Sequence, residues 1–316
     1  MKIIKPNKLS LLNSSSSSDS VWCATPSAED DTTDGVTWNS STTYAFGTLV
    51  RKNHVTYKSM IDGNTGNNPE STFGGDDPSW MVVGATNPYK MLDDYLETVT
   101  KAPVGKKLVF KVPFVNSNSF ALLNIGGATC RVRIEESDGT VNYDETLDLI
   151  EDIPSISLYD YYFHIINSND TNVKTDVPVT LNGTMTVTIT PVTNQHNAYV
   201  GHVIAGMTQY IGETMYSAEI GITDYSKKVR DDFGVTTLIK RSQNKTASVS
   251  LYIPPQRVNL VARLLTELRA TPIVVEGGNR DDGEEALSIY GWIEDWHCVY
   301  EGPNQTEFRL EIQGLI

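Results

Sequence analysis

The feature that most constrains this chain is alternation. Beyond Lys107, apolar side chains recur at every second position: Leu108, Phe110, Val112 and Phe114 in one stretch, Met185, Val187 and Ile189 in a second, Phe308, Leu310 and Ile312 in a third. Threonines fill the gaps of the second set, and Glu307, Arg309 and Glu311 those of the third. A period of two sends successive side chains to opposite faces of a strand, so each segment has one face to bury. Cys130–Glu135 and Thr140–Leu147 flank Ser137-Asp138-Gly139, a turn suited to a glycine at positive φ, which predicts a hairpin. Such strands bury their inner faces against a facing sheet. The expected fold is therefore mainly β, with a β-sandwich or jelly-roll body.

One segment changes period. Thr246–Ile253 alternates as a strand, Pro254-Pro255 stop it, and proline is tolerated in the first turn of a helix. Val258, Val261, Leu264, Leu265 and Leu268 then fall at helical spacing, and Pro272 prevents continuation. One substantial helix is predicted near 256–270, with strands resuming at Ile273–Val275 and Leu287–Ile293.

Upstream of the body the pattern differs. A serine run from Asn13 to Ser20 has nothing to pack, so residues 1–25 read as a flexible arm reaching toward a neighbour. Residues 36–83 place Trp38, Tyr44, Gly47, Val50, Tyr57, Gly66, Pro69 and Trp80 around a turn-rich loop, Asp62–Asp77. A sheet this small has little core, and large rings supply most of its buried area. The arrangement resembles the chitin-binding carbohydrate-binding modules of bacterial chitinases. That resemblance implies a minimal antiparallel sheet, with Trp38, Tyr44, Tyr57 and Trp80 as candidate sugar-stacking rings. The chain departs from the pattern at Thr48, where an acidic residue is usual, and at Lys52, where an aromatic is usual. Core is the alternative role for these rings, and the favoured one for Trp38, Tyr57 and Trp80. Gly84–Tyr89 reads as a connector to a β-sandwich region, 91–195, and a β-rich region with the helix, 196–316, separate or as one body.

Composition narrows the function. A net charge of −14, from 39 acidic and 25 basic residues, argues against a nucleic-acid partner, which needs a cationic face. No window approaches the roughly 18 apolar residues of a membrane span, and no signal-like segment opens the chain. Cys23, Cys130 and Cys298 lie too far apart for a CxxC pair and read as isolated thiols of a reducing cytoplasm. The sequons at Asn182 and Asn244 then carry no weight.

The residues offer no catalytic centre, metal site or cofactor. The histidines at 54, 164, 196, 202 and 297 lack HExxH spacing, and His196 and His202 read as ordinary polar or core residues. There is no GxSxG elbow, phosphate loop or dinucleotide fingerprint. Asp93-Asp94, Asp231-Asp232 and the acidic loop Asn279–Glu285 read as solvated loops, the last without the alternation of a calcium-binding hand. Tyr225–Gly234 sets Lys227, Lys228 and Arg230 beside Phe233, a combination suited to a contact with another subunit or to an exposed connector.

The chitin-binding-like segment, the Gly-Ala-Thr-Asn-Pro-Tyr connector into Met91-Leu92-Asp93-Asp94, the sandwich strands, and Leu264-Leu265 with Arg269-Ala270-Thr271-Pro272 follow one another in this order. Together they resemble a family of tailed-bacteriophage structural proteins. The resemblance implies a virion component of the distal tail, baseplate or fibre attachment, made in the bacterial host cytoplasm. Its partners would be other tail proteins and further copies of itself. The alternatives are a carbohydrate-binding adhesin contacting host-surface glycans and, on generic carboxylates alone, a glycan-cleaving enzyme.

Overall fold

The computed structural model describes residues 1–15, 18–74, 77–93, 95–150, 168–216, 218–230, 233–277, 287–300 and 306–315. Two short strands, β1 (Lys2–Pro6) and β2 (Val21–Ala24), precede a small sheet of β3 (Val36–Thr37), β4 (Leu49–Lys52), β5 (Val55–Ser59) and β6 (Trp80–Ala85). A 3-10 turn, Asn87–Leu92, leads to β7 (Thr100–Lys101), β8 (Lys107–Ser117), β9 (Ser119–Gly126), β10 (Thr129–Glu136) and β11 (Val141–Asp148). Then come β12 (Thr171–Lys174), β13 (Thr180–Thr190), β14 (Tyr199–Tyr210), β15 (Glu213–Thr214) and β16 (Glu219–Asp224). A hairpin of β17 (Lys227–Arg230) and β18 (Thr236–Ile239) precedes β19 (Gln243–Ile253), helix α1 (Val258–Glu267), β20 (Ile273–Glu276), β21 (Ser288–Tyr300) and β22 (Thr306–Gly314). The protein is mainly β.

An eleven-stranded sheet forms the spine, in the order β12-β9-β14-β1-β20-β21-β22-β19-β15, with β7 also on β14 and β16 also on β19. A five-stranded sheet, β11-β10-β13-β8-β2, packs on one half of it. Leu108, Phe110, Val112 and Phe114 of β8, with Met185, Val187 and Ile189 of β13, meet Phe120, Leu122 and Val203 of the large sheet in one core. Helix α1 covers the other half. Its Val258, Val261 and Leu265 pack on Val249, Leu251, Phe308 and Leu310. Each such side chain contributes about 1.5–3 kcal/mol when withdrawn from water, which fixes the helix against the sheet.

Register shows that both covers lie on one face. Val203 pairs with Leu122, and two-residue steps along β14 reach Gln209, opposite Ile3; Ile3 in turn pairs with Val275 and belongs to the helix-side core. Neighbours across a ladder point the same way, so this face carries both cores. The second face holds a smaller cluster of Ile4, Ala121, Ile204, Val274 and Tyr290. The hairpin at Ser137-Asp138-Gly139 forms with Gly139 at φ +87°, and Asp138 Oδ1 accepts the Thr140 N–H at 2.8 Å.

The N-terminal segment corrects the sequence reading. Residues 1–25 are not a free arm, because β1 lies antiparallel between β14 and β20 near the middle of the large sheet. β2 runs parallel to β8 at the edge of the small sheet, and Leu12 N–H donates to Lys111 O at 2.9 Å between them. Ile3 and Ile4 are both buried, one on each face of the sheet. A central strand buried on both sides shows no alternation, so the serines dominated its appearance. Residues 16 and 17 of the serine run lie outside the described residues. The division at 195/196 also falls inside a continuous sheet, since β14 pairs with β9 over Tyr199–Gly206.

Candidate functional site

Two regions hold the candidate residues: the small sheet of β3–β6 and the hairpin of β17 and β18. In the small sheet, Tyr44, Val50, Tyr57 and Trp80 form the core, with Trp38 and Val55 packed beside them. Trp80 is 0% exposed and meets Tyr44 edge-on, with ring centroids 5.6 Å apart. Its indole N–H donates to Asn67 O at 3.0 Å, which satisfies the one polar group on the ring. The Tyr44 hydroxyl accepts the Asn39 backbone N–H at 2.8 Å, and the turn glycines Gly63, Gly66 and Gly74 all have positive φ.

This geometry removes three of the four candidate stacking rings. A sugar can stack only on an accessible face, and Tyr44, Tyr57 and Trp80 have none. Trp38 is half-buried, and Lys52 Nζ lies 4.6 Å from its ring centroid, over the surface a sugar would need. Lys52 thus covers the neighbouring tryptophan. The exposed rings of the module are Phe46 and Phe73, neither of which stands out in the sequence.

The small sheet is tied to its surroundings by two carboxylates, Glu29 and Asp34, and Asp34 Oδ1 accepts the Asn87 N–H at 2.7 Å. Glu29 Oε1 lies 2.9 Å from His54 Nδ1 and accepts the Thr86 hydroxyl at 2.8 Å, while its Oε2 lies 3.3 Å from Arg51 Nε. Arg51 also pairs with Asp31 at 2.6 Å and donates to Gly35 O. Glu29 and Arg51 are largely shielded, so these charges are held where solvent screens them weakly. Sequence reading missed this network because its members span three separate segments.

The second region projects from the edge of the large sheet. β16 pairs with β19, and the chain continues into β17 and β18, which among the described residues pair only with each other, Lys227 with Ile239 through Arg230 with Thr236. Every residue of β16, β17 and β18 is exposed. Register places Lys227, Val229 and Ile239 on one face of the hairpin, and Lys228, Arg230 and Leu238 on the other. Phe233, at the tip, is 93% exposed. At the base, the Tyr225 hydroxyl accepts Asn244 Nδ2 at 3.3 Å, and Arg241 N–H donates to Ser226 Oγ at 3.0 Å. The four residues singled out here by sequence, Lys227, Lys228, Arg230 and Phe233, therefore share one protruding arm. Asp231 and Asp232 lie outside the described residues.

Among the described residues no group of three His, Cys, Asp or Glu side chains could hold a metal ion. His202 sits on β14 against the Tyr290 ring, at 4.8 Å between centroids, while His196 lies in a loop with Nδ1 2.7 Å from Thr193 Oγ1. The two do not share a site. His164, Asp94 and the 279–285 loop lie outside the described residues. Burial pushes the Cys130 thiol up to about 12, which makes it inert. No described helix is long and apolar enough to cross a membrane.

No protein-family model matches the chain, and no curated protein matches it significantly.

Proposed function

We propose that this protein is a virion structural component of a tailed bacteriophage, an adaptor of the distal tail, baseplate or fibre attachment, working through assembly contacts. The observation that carries this reading is the β17–β18 arm. A lone two-stranded hairpin in water is marginally stable, and this one exposes Val229, Leu238 and Ile239 with no sheet or helix laid against them among the described residues. Such a structure has a use when a neighbour covers it, and Arg, Lys and aromatic side chains are the groups that interfaces recruit. The order of segments along the chain, which resembles that of phage structural proteins, supplies the context. A sugar-binding adhesin has weaker support, because three of its four candidate stacking rings are the core of the module.

The test is a census of particles. Phage carrying a version in which 227–239 is replaced by a short Gly-Ser link should yield incomplete particles lacking this protein, by mass spectrometry and electron microscopy. Normal infectious particles containing the shortened protein would refute the reading.

A further inference from the structure

The arm has a counterpart on the same molecule. Residues 225–245 carry six basic and two acidic side chains, a net of +4, so the rest of a chain of net −14 holds −18. That acidity is concentrated in part on the second face of the large sheet. Glu219, Ser248, Glu311 and Asp295 pair successively across β16, β19, β22 and β21, so they form one transverse row pointing the same way. All four are exposed. In the same layer, Glu213 lies opposite Tyr252 and is exposed as well. Among these carboxylates, Glu307 has Arg309 Nε at 2.9 Å and Asp295 has His297 Nε2 at 3.2 Å. The row therefore offers three carboxylates without an arginine or lysine partner among the described residues, set across a broad strand surface.

The arm cannot neutralise this row within its own molecule. β16 carries Glu219 on the second face and runs away from the row into the arm, whose two strands pair only with each other among the described residues. Lys227, Lys228 and Arg230 make no ion pair with a described residue. On the first face, Ile220 pairs with buried Ala247, so it continues the helix-side core layer, yet it stays 48% exposed at the sheet edge.

We propose that the occupant of the arm is a second copy of this chain: the arm of one copy lies across the Glu219–Glu311–Asp295 row of the next. This deepens the assembly reading above and rests on it. Lys228 and Arg230, which share one face of the arm, meet the carboxylates, while Leu238 of the same face leaves water at the contact. The donor and acceptor surfaces differ, so the contact is heterologous, and repetition closes a ring or extends a filament. Complementary charge also makes the association sensitive to salt, because exposed pairs are screened over roughly 10 Å at 0.1 M.

Sedimentation velocity of the full-length protein tests this. The wild type should self-associate at low salt and weaken as salt rises. The triple variant Lys227→Glu/Lys228→Glu/Arg230→Glu should lose at least about tenfold in association constant, and so should Glu219→Lys/Asp295→Lys/Glu311→Lys. Mixed together, the two variants should recover a complex, since the reversed arm of one faces the reversed row of the other. Circular dichroism and thermal melting of each variant report folding, and the mixing step itself shows that both are competent. A wild type that stays monomeric at every concentration and salt, or reversals that leave association unchanged, or a mixture that recovers nothing, would overturn the proposal. The two readings fail separately: if the protein is monomeric yet the arm replacement still empties particles of it, the self-contact is wrong and the arm serves assembly through a different protein, whereas normal particles containing the shortened protein refute the assembly reading itself.

Discussion

His54 and Tyr89 stack ring on ring, with centroids 3.8 Å apart and planes 18° from parallel. One ring comes from the turn between β4 and β5 and the other from the 3-10 turn that enters the sandwich, so the stack joins the small sheet to the body. His54 occupies a left-handed backbone conformation at φ +65°, uncommon for a non-glycine residue, and its carbonyl accepts the Thr86 N–H at 2.9 Å. Glu29 Oε1 holds the imidazole at Nδ1. A module delimited in sequence by polar and turn-forming stretches is thus clamped at its base by an aromatic stack and a shielded carboxylate.

Removing the clamp should loosen the module without unfolding the sandwich. Glu29→Ala removes one partner each from His54, Thr86 and Arg51, and hydrogen bonds to a charged group contribute about 1.5–3 kcal/mol each. The expected outcome is faster proteolytic cleavage within residues 84–90, with Tyr89→Ala acting in the same direction. Equal cleavage rates in wild type and both variants would show that the clamp contributes nothing.

The small sheet yields a test that separates core from binding surface. Trp80→Ala should cost about 3–5 kcal/mol, the range for a buried large aromatic, and unfold the module. Phe46→Ala should leave the fold within about 0.5 kcal/mol of wild type, as an exposed position does. Lys52→Ala uncovers Trp38, so if any single change creates retention on a polysaccharide column, it is this one. Retention by the wild type that Phe46→Ala and Phe73→Ala leave intact would count against the reading that these are the accessible rings.

What the sequence disclosed followed the physics of half-buried strands. β8, β13 and β22 each have one face in a core and one outside it, so alternation exposed them, and α1 announced itself by its helical spacing between prolines. β1 was illegible because Ile3 and Ile4 are both buried on opposite faces, which erases the period. The module's aromatics were legible as a set, but their roles were not. Whether a ring is core or platform depends on what lies over it, and Lys52 over Trp38 is a contact between β4 and the residue that follows β3. The arm's charges could be read along the chain, whereas its counterpart row takes one residue from each of four strands and exists only once their register is set.

Cys130 offers a chemical probe of the sandwich. Its thiol lies among Phe110, Val132 and Ile189 in the main core, and burial raises it from the ordinary 9.0 to about 12. At pH 8 iodoacetamide should modify Cys23 and Cys298 before Cys130, which should react only on unfolding; peptide mass spectrometry reads the order. The pH dependence has a definite sign. The unfolded thiol ionises near 9 and the folded one does not, so this group's stabilising contribution is complete below about 9 and declines as pH rises toward 12. A Cys130→Ala background should lack that component of the alkaline decline.

The integration of β1 makes the last prediction. Gly206 lies opposite Pro6, and a Cβ added there would stand 1.9 Å from Lys5 O. No side-chain rotation relieves that contact, because the obstacle is backbone. Gly206→Ala should therefore push β1 off β14, loosen Ile3 and Ile4, and leave two central strands with unpaired edges that invite aggregation. The immediate cost should be at least the 1–3 kcal/mol typical of overpacking, seen as a lower denaturation midpoint. Deleting residues 1–8 should be worse, giving insoluble protein instead of a soluble body, since it removes a central strand and its hydrophobic contacts on both faces. Hydrogen exchange supplies the decisive comparison: the β1, β14 and β20 amides should lose protection together in Gly206→Ala. If the variant keeps wild-type protection and midpoint, or the truncated chain is soluble and folded, β1 is dispensable to the sheet.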